Sequence, residues 1–323
     1  MEKRRLTYLD QMKGVAIFFM VMGHVMLFSF KESNSMIEGF GVSNMPMFFY
    51  VSGFLAYCEL NNITQFVQRL AKRSRRLMIP WLCVTIAMCL YADRPFVPTL
   101  LSFYWFFYML VLLTMVFYLF EYFVARKIKH SARYVASFMA LMALVGTGYY
   151  SRLQSYQFPF AEFVVFSSSY LLGWCSRKYA TLHTFCLNNQ TLFVACIPLF
   201  IYGCCNLQHL NLVTRVLAGN AGVLIWQSFF YHRDMKQTNL AIGGGNMISS
   251  IIAYLGQSSL SIYMLNNFFI PDLTCFDTSR LTVGNGFLWQ FTIVALLTVP
   301  VIGACVLVRE ICKNNNWLAR IIS

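Results

Sequence analysis

The sequence predicts an all-α integral membrane protein, a polytopic bundle of about ten transmembrane helices with N- and C-termini cytoplasmic. Three observations carry this. Of the 323 residues, 58% are apolar and only 11% are charged, a balance that water-soluble globular domains do not show. The apolar residues collect in runs of roughly 20, the length that crosses a hydrocarbon core about 30 Å thick. The cations segregate as well. With the N-terminus inside, all of the 25 Lys and Arg except Lys31, Arg94, Arg152, Arg215 and Arg280 fall on the cytoplasmic side. That asymmetry requires an even number of crossings. The formal charge of +13 is therefore topology, and it does not make nucleic acid a partner.

Taken in order, the spans are placed at about 12–30, 42–60, 77–93, 99–124, 133–150, 157–176, 189–206, 213–231, 246–270 and 283–308. The first follows Lys3, Arg4 and Arg5 and imitates a signal peptide. It has no small-x-small cleavage site, so it is read as a retained span. Basic segments separate the second span from the third, the fourth from the fifth and the eighth from the ninth. Trp81, Tyr149, Tyr150, Trp174 and Trp317 stand near span ends, as an interfacial aromatic belt requires. Glycines 243–245 fall in an inside loop too bare to cradle a phosphate. The eleven cysteines show no metal-ligand spacing, and the adjacent Cys204 and Cys205 are read as membrane-buried packing residues. No repeat or linker divides the chain, which is read as one unit over 1–323.

Residues 4–24 organise the rest. On a helix, Lys13, Gly14, Ile17, Val21 and His24 follow Asp10 at offsets that share one stripe. At 1.5 Å per residue His24 lies about 15 Å beyond Gly14, near the bilayer midplane, where a histidine marks function by default. Asp10 lies about 21 Å from His24 and cannot orient it; its expected partner is Lys13 or an arginine of the next basic segment. That segment, a loop in this reading, carries Arg69, Lys72, Arg73, Arg75 and Arg76. Guanidinium groups suit phosphates because the planar fork bonds two oxygens at once; positive-inside anchoring against anionic lipid is the plainer role. Ser52-Gly53 is read as a close-packing pair. Trp105 either walls a substrate channel or belongs to the aromatic belt. Glu162, an intramembrane carboxylate in the outer half of the sixth span, is an acceptor-side candidate. Arg152 and Arg215 either bind an anionic glycan or cap helices.

The pattern Arg5, Asp10, Lys13, Gly14, Gly23, His24 resembles the N-terminal signature of the bacterial membrane acyltransferase 3 family, with Lys13 where Arg is commoner. NMPMFFYVSGFL at 44–55 resembles the family's M-P-x-F-F-x-x-S-G segment, and FVQRLAKRSRRLMIPWL at 66–82 its basic segment ending L-x-x-P. YWFFYML at 104–110, LLGWCSRK and LGQSSLSIYMLN at 255–266 match more weakly. The resemblance implies an O-acyltransferase in the bacterial plasma (inner) membrane. It moves an acyl group, acetyl first, from cytoplasmic acyl-CoA to a hydroxyl of an envelope or exported carbohydrate, the donor being a substrate and not a resident cofactor. His24 is then the general base. Lys13 with Arg69, Arg73 and Arg76 holds the donor, and Trp105 and Glu162 face the acceptor. Asn44 and Asn266 stand where the family often has His. Asparagine hydrogen-bonds but does not titrate, so either His24 suffices with both asparagines as positioning groups or activity is altered. A transporter or flippase for a lipid-linked sugar and a non-catalytic glycan-binding family member remain as alternatives. No metal is expected.

Overall fold

The computed structural model describes residues 6–30, 35–59, 62–93, 95–96, 104–125, 128–148, 160–239, 247–273 and 286–315. Arg4, Arg5, Tyr149, Tyr150, Arg152, Arg280, Trp317 and glycines 243–245 lie outside them. Among the described residues every regular element is helical. These are α1 (Thr7–Val25, continued by a π turn, Met26–Phe30), α2 (Ser35–Ala56), α3 (Ile63–Ala92) and α4 (Trp105–Phe120, continued by a second π turn, Glu121–Ala125). They are followed by α5 (Ser131–Gly148), α6 (Phe160–Lys178), α7 (Ala180–Asn188), α8 (Gln190–Cys205), α9 (Leu212–Asn239), α10 (Met247–Gln257), α11 (Ser259–Phe269) and α12 (Gly286–Lys313).

Among the described residues four helical segments are long and apolar enough to cross a membrane alone: Thr7–Phe30, Ile63–Ala92, Trp105–Ala125 and Leu288–Lys313. Two bent pairs bring the number to six if each counts as one crossing. The expected second, fifth, sixth and eighth spans are helices, α2, α5, α6 and α9, but fall outside this set. In α2, α6 and α9 the reason is polar content turned inward. Ser43, Asn44, Ser167, Ser169, Gln227 and Ser228 are all buried against neighbouring helices, so these helices are less apolar than lipid-facing ones.

One expected span is not straight. The run at 246–270 breaks at Ser258 into α10 and α11, bent by 79°. The expected seventh span is α8, and α7, which lies in no expected span, meets it at Asn189 with a bend of 70°. Asn189 starts α8 by accepting from the Leu192 amide at 3.0 Å, an N-cap within the polar step Asn188-Asn189-Gln190-Thr191. Further, the basic segment is not a loop. It is the first half of α3, a 30-residue helix that Asn62 caps through the Gln65 amide and that ends at Asp93 in the left-handed region, φ 47°. Nothing in residues 63–79 breaks a helix, and Pro80 is carried within it.

The core is aromatic. Trp174, Tyr50, Tyr104, Tyr134, Tyr170, Phe49, Phe107 and Phe117 are all essentially inaccessible. Trp81 and Trp174, expected at the interface, are buried. Trp174 is held inside because its indole N–H donates to Glu121 Oε2 at 3.3 Å. Glu121 also accepts from Tyr134 Oη at 2.9 Å and from Lys178 Nζ at 2.6 Å, so this buried charge is fully paired. Cys205 is exposed on the protein surface and Cys204 half-buried. Two helix crossings depend on glycine. A Cβ at Gly256 would stand 1.7 Å from the Asp10 carbonyl oxygen, and one at Gly53 would stand 2.2 Å from that of Tyr170. Backbone therefore touches backbone where α10 meets α1 and where α2 meets α6.

Candidate active site

The helical reading of residues 69–76 decides which cations act together. Lys72, Arg73 and Arg76 follow Arg69 at offsets of three, four and seven, the spacing of one helix face, whereas Arg75 is rotated away. Those four side chains line a cavity of about 870 Å³, joined by Lys13 from α1 and Arg177 from α6, with Glu59 as an acidic neighbour. Arg73 Nη2 donates to the Ser52 carbonyl at 3.1 Å, while its Nε is buried without a partner. Lys13 bridges to Asp10 at 2.8 Å, the carboxylate almost wholly buried. Asp10 thus anchors a cavity-lining ammonium and takes no part at His24. Gly53 is the close-packing half of the Ser52-Gly53 pair. Arg177, some hundred residues from the basic segment, was not singled out in the sequence; only its position in a weak motif, LLGWCSRK, marks it.

The cavity is polar at one end and apolar at the other. From Ala56 back to Met45, α2 runs 11 residues, about 16 Å, and Glu59 lies just beyond its C-terminal end. Along that length the lining changes from the cations to Leu55, Val51, Phe48 and Met45, with Phe106 and Leu110 of α4 and Tyr263 of α11 opposite. Tyr263 leads to the next feature. One helical turn further along α11, Asn266 Oδ1 lies 2.9 Å from His24 Nδ1.

The orientation of that asparagine follows from its other bonds. Its Nδ2 donates to the Ile262 carbonyl at 3.1 Å and to the Tyr263 carbonyl at 2.6 Å. Reversing the amide would set Oδ1 against two carbonyl oxygens, so Oδ1 faces the imidazole as an acceptor. His24 Nδ1 therefore carries the proton, which leaves the Nε2 lone pair to take one. Asn266 orients the imidazole without adding a charge to an apolar interior. His24 and Asn266 line neither of the cavities described here; Tyr263 is the residue that both touches the first cavity and holds the Asn266 amide.

Asn44 is not part of this pair. It is buried on α2, and its Oδ1 has no hydrogen-bond partner. Trp105 and Glu162 line a second cavity of about 480 Å³ together with Tyr108 and Arg215. Trp105 stacks on Phe166, ring centroids 5.3 Å apart, in the wall of this cavity. Glu162 sits in the first turn of α6, half-exposed, 3.8 Å from Arg215. It is thus a paired carboxylate facing a cavity. Among the described residues no cluster of His, Cys, Asp or Glu is arranged to hold a metal.

The family model for the acyltransferase 3 domain, described as an acyltransferase domain, matches residues 6–307. No curated protein and no solved structure matches the chain. That match spans α1 and its histidine, the basic face of α3, both cavities and most of α12, which is the whole of the site described above. The chain belongs to the acyltransferase 3 family of membrane acyltransferases.

Proposed function

We propose that this protein is an integral membrane O-acyltransferase of the bacterial inner membrane. It moves an acyl group, acetyl first, from cytoplasmic acyl-CoA to a hydroxyl of an envelope or exported carbohydrate. The chain crosses the bilayer about ten times with both termini inside, a topology supported by the sided distribution of Lys and Arg. The observation that carries the donor assignment is the cavity into which Lys13, Arg69, Lys72, Arg73, Arg76 and Arg177 converge. Six cations, of which Lys13 is already paired with Asp10, with Glu59 as the acidic lining residue, match a ligand bearing several phosphates, and the unpartnered Arg73 Nε is a donor awaiting an acceptor. The apolar inner end suits the acyl portion of the same molecule. Trp105, Glu162 and Arg215 in the second cavity offer a sugar a stacking face and charged hydrogen-bonding groups.

The chemistry asks little more of the protein. The acceptor oxygen attacks the thioester carbonyl while His24 Nε2 takes the hydroxyl proton. The C–O bond forms, the C–S bond breaks, and the proton passes to the departing thiolate to give coenzyme A thiol. Asn266 keeps the proton of the resting imidazole on Nδ1 throughout.

Alkali-labile acyl ester on envelope glycans tests this reading in cells lacking the protein, complemented with wild type or His24→Ala at equal membrane levels. Ester restored by wild type and missing with His24→Ala is expected. Ester identical in the deletion and both complemented strains, with donor supply and glycan amount confirmed, would remove acyl transfer to these glycans as the function.

A further inference from the structure

The two cavities lie end to end along α2 and α4. The donor cavity takes Met45, Phe48, Val51 and Ser52 from α2 and Phe106 and Leu110 from α4. The outer cavity takes Gly41, Val42, Met45 and Pro46 from α2 and Trp105, Tyr108 and Met109 from α4. Among the described residues Met45 alone lines both. Its neighbours in the partition are stiff. Phe106 is buried and packed edge-on against Phe48 and Phe49, with ring centroids 5.8 and 5.2 Å away. Pro46 lies within the helix itself. Met45 is only partly buried, and its unbranched thioether is the most adaptable side chain in that wall.

We infer that Met45 is the end wall of the acyl pocket and sets the length of acyl chain the enzyme accepts. The inference rests on the reading of the cation-lined cavity as the site of a coenzyme A ester. With the phosphates at the cationic end, the acyl group is the part that reaches the apolar end, and the side chain it meets there is Met45. A chain that is too long has to displace the thioether toward the outer cavity.

The geometry gives opposite expectations for two substitutions. Met45→Ala removes three heavy atoms and leaves room for two to three further methylenes. Met45→Trp fills the same space. Binding of free coenzyme A and of acetyl-, butyryl- and hexanoyl-CoA to purified full-length protein reads this out. With Met45→Ala the affinity for butyryl-CoA relative to acetyl-CoA rises by about fourfold per added methylene. With Met45→Trp even acetyl-CoA weakens. Free coenzyme A, which carries no acyl group, binds all three proteins alike because the cations are untouched. If Met45→Ala is too unstable to hold free coenzyme A, Met45→Val is read against the same expectation, reduced to one methylene. A variant that binds free coenzyme A normally but keeps the wild-type chain-length profile overturns the role of Met45 and leaves the donor site standing. Wild type that binds neither coenzyme A nor any of its esters overturns the donor site, and this inference falls with it.

Discussion

Replacing Asn266 by leucine isolates the orienting bond from the rest of the site. The change keeps the side chain's approximate volume and removes the acceptor 2.9 Å from His24 Nδ1. It also removes the two donors that fix the amide against α11, which leaves two carbonyls already engaged in the helix ladder. What remains is a buried imidazole N–H with no partner. Leaving such a group unsatisfied costs about 1–3 kcal/mol, and the imidazole recovers part of that by changing tautomer or rotating. In either case Nε2 ceases to be the free base. If the cost appears in the transition state, kcat falls roughly 5- to 150-fold. Because Asn266 lines neither cavity, the dissociation constant for acyl-CoA should stay within twofold. Single-turnover transfer from radiolabelled acetyl-CoA in membranes of matched protein content measures the first quantity, and equilibrium binding to purified protein measures the second. A variant with wild-type turnover would refute the assigned tautomer. One with weakened donor binding and unchanged turnover would show that Asn266 shapes the donor cavity instead.

Other consequences follow from the same geometry. His24→Gln keeps a hydrogen-bonding side chain but no titrating base, and turnover is expected to drop about 10²- to 10⁴-fold with protein level unchanged. Glu121→Ala leaves Lys178 buried and unpaired and should destabilise the fold by about 3–5 kcal/mol, lowering the melting temperature in detergent; the Glu121→Leu, Lys178→Met double variant should recover most of that loss. Gly256→Val forces a side chain into the Asp10 carbonyl, so monodisperse protein recovered from membranes should fall sharply. Gly23→Ala, where an added Cβ meets nothing within 4 Å, should express like wild type.

Much of this was legible before any coordinates, for identifiable reasons. The helical class and the membrane setting follow from composition, and the Asp10–Lys13 pair follows from an i,i+3 spacing on one helix. The basic face of α3 was half legible. The cluster was evident, and the offsets among Arg69, Lys72, Arg73 and Arg76 already separated them from Arg75. Treating the segment as a loop discarded that periodicity. Arg177 and Tyr263 were beyond reach because they join the cavity through tertiary packing of α6 and α11, which no local pattern encodes. The elbow at Asn189 falls at the start of the seventh span, where the polar step Asn188-Asn189-Gln190-Thr191 marks a helix boundary; the bend at Ser258 had only a polar Gln-Ser-Ser step to announce it. Trp174 was misplaced because an indole serves equally at an interface or beside a buried acceptor, and Glu121 as that acceptor is 53 residues away. The role of Asn266 could not be settled from its identity. It depends on which end of the amide faces His24, and two backbone carbonyls of α11 decide that.

The most direct test of the central claim is the affinity of purified full-length protein for acetyl-CoA in three forms: wild type, Arg73→Ala with Arg76→Ala, and Arg75→Ala. Each cavity-facing arginine contributes a charge-assisted bond of about 1.5–3 kcal/mol, so losing one weakens binding about 10- to 150-fold and losing both weakens it further. Arg75, on the other face of the same helix, should leave affinity within twofold although it removes the same charge. Equal losses from all three arginines would reduce the basic segment to general attraction for anions, and no binding by wild type would contradict the account outright.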